Sequence, residues 1–215
     1  MKQKEIFLHS EGDAWFSRNT SSLNHRKLPD EDPLLLMLIG LPIWKAAEKD
    51  KIKILEIGSG DGARLAWLKN NLNVECYGIE PSQLGVNAAN EKGVHAIQGT
   101  ADILPFDNKQ FDLVIFGFCL YLCDRDDLFR IASEANRVLR NPGWLALLDF
   151  YSPVMQSRHY HHKEGVSSYK MDYRKLFTWH PSYECLNHKV FHHENLSYTD
   201  DPNEWISVSM LRKFA

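Results

Sequence analysis

Clustered positive charge is missing from this 215-residue chain, which has a formal net charge of −3 and no long basic run. Binding a phosphate backbone needs clustered Lys and Arg, so nucleic acid is not the expected partner. The small group around Arg174 and Lys175 does not change that. Long apolar runs are missing too. The nearest, "PLLLMLIGLPIW", is interrupted by Gly40 and Pro42 and falls short of the ~18 apolar residues of a membrane span. It reads as a buried helix ending near Gly40, with Asp30 or Asp32 as cap and Pro33 in the first turn. The patch Ile6-Phe7-Leu8 lacks the ~7–15-residue apolar centre of a secretory signal. Cysteine is scarce: Cys76, Cys119, Cys123 and Cys185. Cys119 and Cys123 have no second pair to complete a zinc site. All four read as free thiols in a reducing cytoplasm. The expectation is a cytoplasmic chain with no membrane segment and no metal, as a monomer or homodimer.

No repeat or low-complexity tract stands out. What is present is an apolar content of 44%, enough for a sizeable core, at a length that suggests a single domain. From Lys53 strand and helix signals alternate. "IKILEIG", "VECYGIE", "VHAIQG", "FDLVIFG" and "WLALLDFY" read as strands. "ARLAWLKNN", a segment capped by Ser82 and ended by Gly93, and one from about Asp124 read as helices, with "RNPG" a turn. This rhythm predicts a parallel sheet with helices on both faces. After Tyr151 the rhythm changes. Residues 152–183 are rich in His, Tyr, Ser and Lys and predict a long loop or small helical insertion. "CLNHKVFHHEN" and "EWISVSMLRKF", separated by a few turn residues, predict an antiparallel closing hairpin.

The stretch "KILEIGSGDGA" carries the chemistry. Gly58, Gly60 and Ala63 fit G-x-G-x-x-G/A, the pyrophosphate fingerprint. Glu56, Gly58, Gly60 and Gly62 also fit E-x-G-x-G-x-G, which suits a cationic ligand. Glu56 and Asp61 would repel a pyrophosphate and attract the ammonium and sulfonium of S-adenosylmethionine. Glu80, 22 residues beyond Gly58, suits ribose hydroxyls of either cofactor. Asp102 can accept from an adenine amino group, with Ile103 packed on the ring.

"LEIGSGDG", "GIEPS", "GTADILPFDNKQFDLVIFGFCLYLCD" and "ANRVLRNPGWLALLDF" together resemble the successive motifs of class I S-adenosylmethionine-dependent methyltransferases, in the small-molecule branch called methyltransferase-11. The resemblance covers about residues 50–151. It implies an α/β, three-layer, Rossmann-like fold: a seven-stranded sheet of order 3-2-1-4-5-7-6 with strand 7 antiparallel. Residues 1–49 would be an N-terminal lid, 50–151 the cofactor core, 152–183 a substrate insertion after strand 5 and 184–215 the closing hairpin. By position, Glu56 and the Gly58, Ser59 and Gly60 backbone would hold the methionine end. Glu80 and Pro81 would meet the ribose, Ala101, Asp102 and Ile103 the adenine, and Phe118 the inner edge of the cofactor. "GFCLYL" replaces the Asn/Asp-Pro-Pro-Tyr/Phe motif of nucleic-acid and protein amino-methylating branches.

Acceptor contacts are expected from Trp15, Phe16 and Arg18 in the N-terminal segment and from His180. Seven of the ten histidines fall between 159 and 193. His159, His161 and His162 are candidate general bases, and Tyr121 is a candidate to orient an acceptor. His192 and His193 read as edge or surface residues. The expected activity is transfer of a methyl group to an oxygen or nitrogen of a small molecule, leaving S-adenosylhomocysteine. Two alternatives stay open: an NAD-dependent oxidoreductase, and a non-catalytic S-adenosylmethionine-binding subunit or sensor.

Overall fold

Apolar side chains at every second position of two adjacent strands decide the architecture. In β1 (Ile52–Ile57) and β4 (Phe111–Gly117), Ile54, Leu113 and Ile115 point to one face and Leu55, Val114 and Phe116 to the other, all fully buried. Period-two alternation with both faces apolar requires cover on both sides. The computed structural model, which describes residues 2–45 and 50–214, supplies that cover. The sequence segment 46–49, at the end of the expected N-terminal lid, lies outside the described residues.

One face of the sheet carries α3 (Pro33–Ile39), α4 (Ala63–Asn71) and α5 (Gln83–Glu91), which bury Leu34, Leu38, Leu65, Leu68 and Ala89. The other carries α6 (Leu128–Val138) and the single turn α7 (Lys175–Thr178), which bury Ile131, Ala135, Val138 and Phe177. With β2 (Val74–Glu80), β3 (His95–Gln98), β5 (Leu139–Phe150), β8 (Tyr183–His192) and β9 (Trp205–Lys213), the sheet runs β3-β2-β1-β4-β5-β9-β8. The first five strands are mutually parallel. β9 is antiparallel to both β5 and β8, so β8 again runs with β5. Counting only strands of this sheet, the order is the expected 3-2-1-4-5-7-6.

The helix starts follow side-chain chemistry. Asp32 caps α3 by accepting from the backbone N–H of Leu34 (3.1 Å) and Leu35 (2.9 Å). Ser82 caps α5 by accepting from Gly85 N–H at 3.0 Å. Three expectations need correction. The helix expected from Asp124 begins as a 3-10 turn, Arg125–Asp127, before α6. "RNPG" is not a turn outside the strand: β5 runs through it, and Arg140 pairs with Asp112 at 2.6 Å from within β5. The insertion after β5 is neither loop nor mainly helix. It is an antiparallel hairpin, β6 (Gln156–His159) with β7 (Ser167–Lys170), followed by α7.

The turn into α4 depends on Gly62. Its φ is +68°, and a Cβ there would lie 2.7 Å from Cβ of Ala89 in α5. Any side chain meets both backbone strain and a neighbour that the helix packing holds in place. Gly62→Ala is expected to destabilise the fold by about 1–3 kcal/mol, read as a lower midpoint in urea denaturation.

Candidate active site

The carboxyl ends of β1, β2, β4 and β5 open into a cleft of about 620 Å³, where open α/β sheets bind ligands. Its roof is one continuous helical segment. α1 (Gln3–Ile6) passes through a π-helical turn, Phe7–Glu11, into α2 (Gly12–His25). Polar anchors hold the roof down. Asp13 accepts from Ser82 Oγ (2.7 Å) and from Leu84 N–H (3.0 Å) at the start of α5. Lys4 pairs with Asp102 and, at 2.8 Å, with Asp127. Glu11, buried in the π turn, accepts from Arg18 and from the Tyr160 hydroxyl.

The glycine-rich turn forms the floor. Glu56 ends β1 and is 1% exposed. Its Oε1 accepts from Arg64 of α4, and Arg64 Nε also donates to Asp32 at 2.9 Å. Burial pushes the Glu56 carboxyl up to about 7, against the pull of Arg64. Arg64 holds Asp32 below the usual carboxylate range despite burial. Glu56 Oε2 and Ser59 Oγ are buried with no hydrogen-bond partner among the described residues. Beside them Gly60, at φ +54°, has no atom of the described residues within 4 Å of where a Cβ would sit. An unpartnered buried acceptor next to open backbone fits a cationic ammonium. Arg64 was not anticipated. Its one signal in the sequence is a lone cation among apolar residues on the buried face of α4.

Glu80, at the end of β2, is also buried. It accepts from Gly60 N–H (2.8 Å) and Ser82 N–H (3.0 Å). Burial raises it to about 7, and these two bonds pull it down. Asp61 differs from expectation. Its carboxylate pairs with Lys92 at 2.8 Å and accepts from Ala63 N–H, so it presents no uncompensated charge to a ligand. Asp102 lies in the cleft with Pro81 and Ala101. It accepts from Thr100 Oγ1 (2.7 Å), and these bonds with Lys4 hold it below the usual range against burial. Ile103 is 62% exposed and outside the cleft lining, beside the buried Asp102 and Leu104.

The far wall is aromatic. Phe118, Tyr121 and Phe150 contact one another through Phe150, at ring separations of 5.4 and 5.0 Å, and Trp15 and His193 complete the wall. Asp149 shapes it by accepting from the backbone N–H of Leu120 (2.8 Å) and Tyr121 (3.3 Å). Burial pushes the Tyr121 phenol far up, so it stays protonated. Phe16 is turned away from the cleft onto α5, against Gly85. Arg18 is committed to Glu11 and Tyr160.

The expected histidines are not brought to the cleft. His159, His161 and His162 are exposed around the turn of the β6–β7 hairpin. The inward side chain of that cluster is Tyr160, which packs on Phe7 and reaches Glu11. His180 precedes β8, whose start pairs with Lys213, and Lys213 pairs with Gly143 at the start of β5. That is the amino end of the sheet, opposite the cleft. The same ladder carries His193, just past the end of β8, to the cleft mouth.

Residues 55–147 match the family model described as a methyltransferase domain. Over those residues the core resembles class I S-adenosylmethionine-dependent methyltransferases. The chain is 32% identical over 146 residues to the uncharacterized methyltransferase YcgJ of Bacillus subtilis, covering 64% of this chain and 54% of that one. The chain thus spans about half the length of that curated relative. Among solved structures it is similar to the partner of the Trm112 methyltransferase activator of Haloferax volcanii (TM-score 0.68, 16% identity, 96% of each chain). It is also similar to the 1,6-didemethyltoxoflavin-N1-methyltransferase of Burkholderia thailandensis, with bound S-adenosylhomocysteine (TM-score 0.64, 14% identity, 96% of this chain and 90% of that one). Among the described residues no helix is long and apolar enough to cross a membrane.

Hydroxyl donors reaching Glu80 from a bound ligand would stabilise its carboxylate and lower a pKa that burial holds near 7. Binding of S-adenosylhomocysteine near pH 6 is therefore expected to release a proton. Calorimetric heats in buffers of different ionisation enthalpy should differ, and Glu80→Gln should reduce that spread. Identical heats in every buffer for the unaltered protein would contradict the assignment of Glu80.

Proposed function

We propose that the whole chain is an enzyme that moves a methyl group from S-adenosylmethionine to an oxygen or nitrogen of a small molecule by in-line displacement. The observation that carries this reading is the unpartnered, buried Glu56 Oε2 beside the open backbone at Gly60. Glu56 and Ser59 would hold the ammonium end, Glu80 the ribose and Asp102 the adenine, with Lys4 releasing or sharing Asp102. Bound S-adenosylmethionine supplies a methyl on a sulfonium, whose departure as a neutral thioether needs no acid.

The chain's own work is then placement. The roof segment excludes water, and the aromatic wall positions the acceptor. Tyr121, kept protonated by burial, donates a hydrogen bond to the acceptor and does not act as a base. Holding two reactants in line can supply effective molarities of about 10⁵ M or more. A small-molecule acceptor fits a roofed, mostly apolar cleft of about 620 Å³.

Calorimetry with S-adenosylhomocysteine and with NADH separates the methyltransferase from a nicotinamide enzyme. The expected result is binding of the first alone. Glu56→Ala should weaken it by about 10-fold or more, since a hydrogen bond to a charged group contributes ~1.5–3 kcal/mol, whereas Ala63→Gly should change it little. Transfer of a labelled methyl into a small-molecule extract then tests catalysis. Tight cofactor binding with no labelled product across diverse extracts would favour a sensor.

A further inference from the structure

At the mouth of the cleft, beyond the aromatic wall, the ends of β8 and β9 bring two side chains together. His193 N–H donates to the backbone oxygen of Glu204 at 2.9 Å, which extends the β8–β9 ladder by one step. In that register His193 Nδ1 lies 2.6 Å from Glu204 Oε2. A proton on Nδ1 is favoured by the adjacent carboxylate, and in that neutral tautomer Nε2 keeps the lone pair. The ring lies on the cleft wall, 6.3 Å from the ring of Phe150, which itself touches Phe118 and Tyr121.

We propose that His193 is the general base of the methyl transfer, oriented by Glu204, and that the acceptor is therefore a phenol or alcohol hydroxyl. This rests on the methyltransferase reading above. In the step, the acceptor O–H bond breaks and its proton goes to His193 Nε2. The oxygen electron pair forms the O–CH₃ bond as the C–S bond breaks, with that pair passing to sulfur. The imidazolium is stabilised by Glu204 and returns its proton to solvent. A neutral amine acceptor needs no such base.

His192, stacked on His193 at 5.4 Å, makes a three-ligand group with His193 and Glu204. It fits a metal poorly. Its Nδ1 accepts from Glu194 N–H at 3.1 Å, which puts its proton on Nε2, the atom facing Glu204. A metal-bound imidazole does the reverse, donating from its second nitrogen. Among the described residues the charged or titratable groups beside His193 are Glu204, His192 and Glu194 (3.9 Å from Nε2), and Lys170 lies over the Phe150 ring that His193 also approaches.

The test uses the full chain and its His193→Gln, Glu204→Gln and Glu204→Asp variants. Calorimetry with S-adenosylhomocysteine comes first, then labelled S-adenosylmethionine with hydroxyl probes (4-hydroxybenzoate, catechol, benzyl alcohol) and an amine probe (benzylamine) across pH. The expected result is a methyl ether from at least one hydroxyl probe. His193→Gln should slow turnover by about 100-fold or more and remove the acid limb of the pH profile, with S-adenosylhomocysteine affinity unchanged. Glu204→Gln should lower kcat with KM intact, and Glu204→Asp should recover part of it. Normal binding with no methyl ether from any hydroxyl probe would overturn the proposal, as would full turnover by His193→Gln. Failure of the unaltered protein to bind S-adenosylhomocysteine would overturn the methyltransferase reading instead.

Discussion

The buried guanidinium of Arg64 ties the site to the fold. It reaches from α4 to Glu56 at the end of β1 and to Asp32 at the start of α3. Asp32 in turn caps α3 and is approached by Arg26, at 3.5 Å, from the chain leaving the roof helix. Charges this deep in the interior are costly unless each finds partners. Here one cation serves two carboxylates, and the arrangement holds together only if β1, α3 and α4 keep their relative positions. The pairing leaves one Glu56 oxygen unclaimed. That residual acceptor is the most specific polar feature of the cleft floor.

Around this knot the sheet assigns every other part of the cleft by strand direction. Parallel strands put Glu56, Glu80, Phe118 and Phe150 at one end. The antiparallel β9 lets β8 run with β5, so the last residues of β8 also arrive at that end. The β6–β7 hairpin contributes through Tyr160, which braces Glu11 of the roof. Floor, wall and roof come from widely separated segments, and the polar anchors at Asp13, Lys4 and Glu11 hold the roof onto the other two.

The strands and helices of the core, the helix caps and the carboxylates of the turn were legible in the sequence because each follows from local patterning, whereas the sheet order came from the resemblance of the motifs to a known family. Apolar alternation, cap residues and a glycine turn act over a few neighbours. The formal charges of Glu56 and Asp61 say less about the ligand than their positions suggest. Both acids sit where expected, yet Arg64 and Lys92 already engage them, so their formal charge does not by itself select the ligand. Only the unpartnered oxygen of Glu56 still points to a cationic ligand. The histidine cluster misled for a similar reason. Density of imidazoles along the chain says nothing of which side of a hairpin faces inward.

The sequence alone determined the alternation that builds a doubly covered parallel sheet and the turn residues at its working end. These depend on period and conformation within short windows. Only the tertiary structure decided which charges are paired, which oxygen is free, and that His193 meets Glu204 while His180 lies at the opposite end of the sheet. Those outcomes depend on strand direction and ladder register, which no local stretch of residues records.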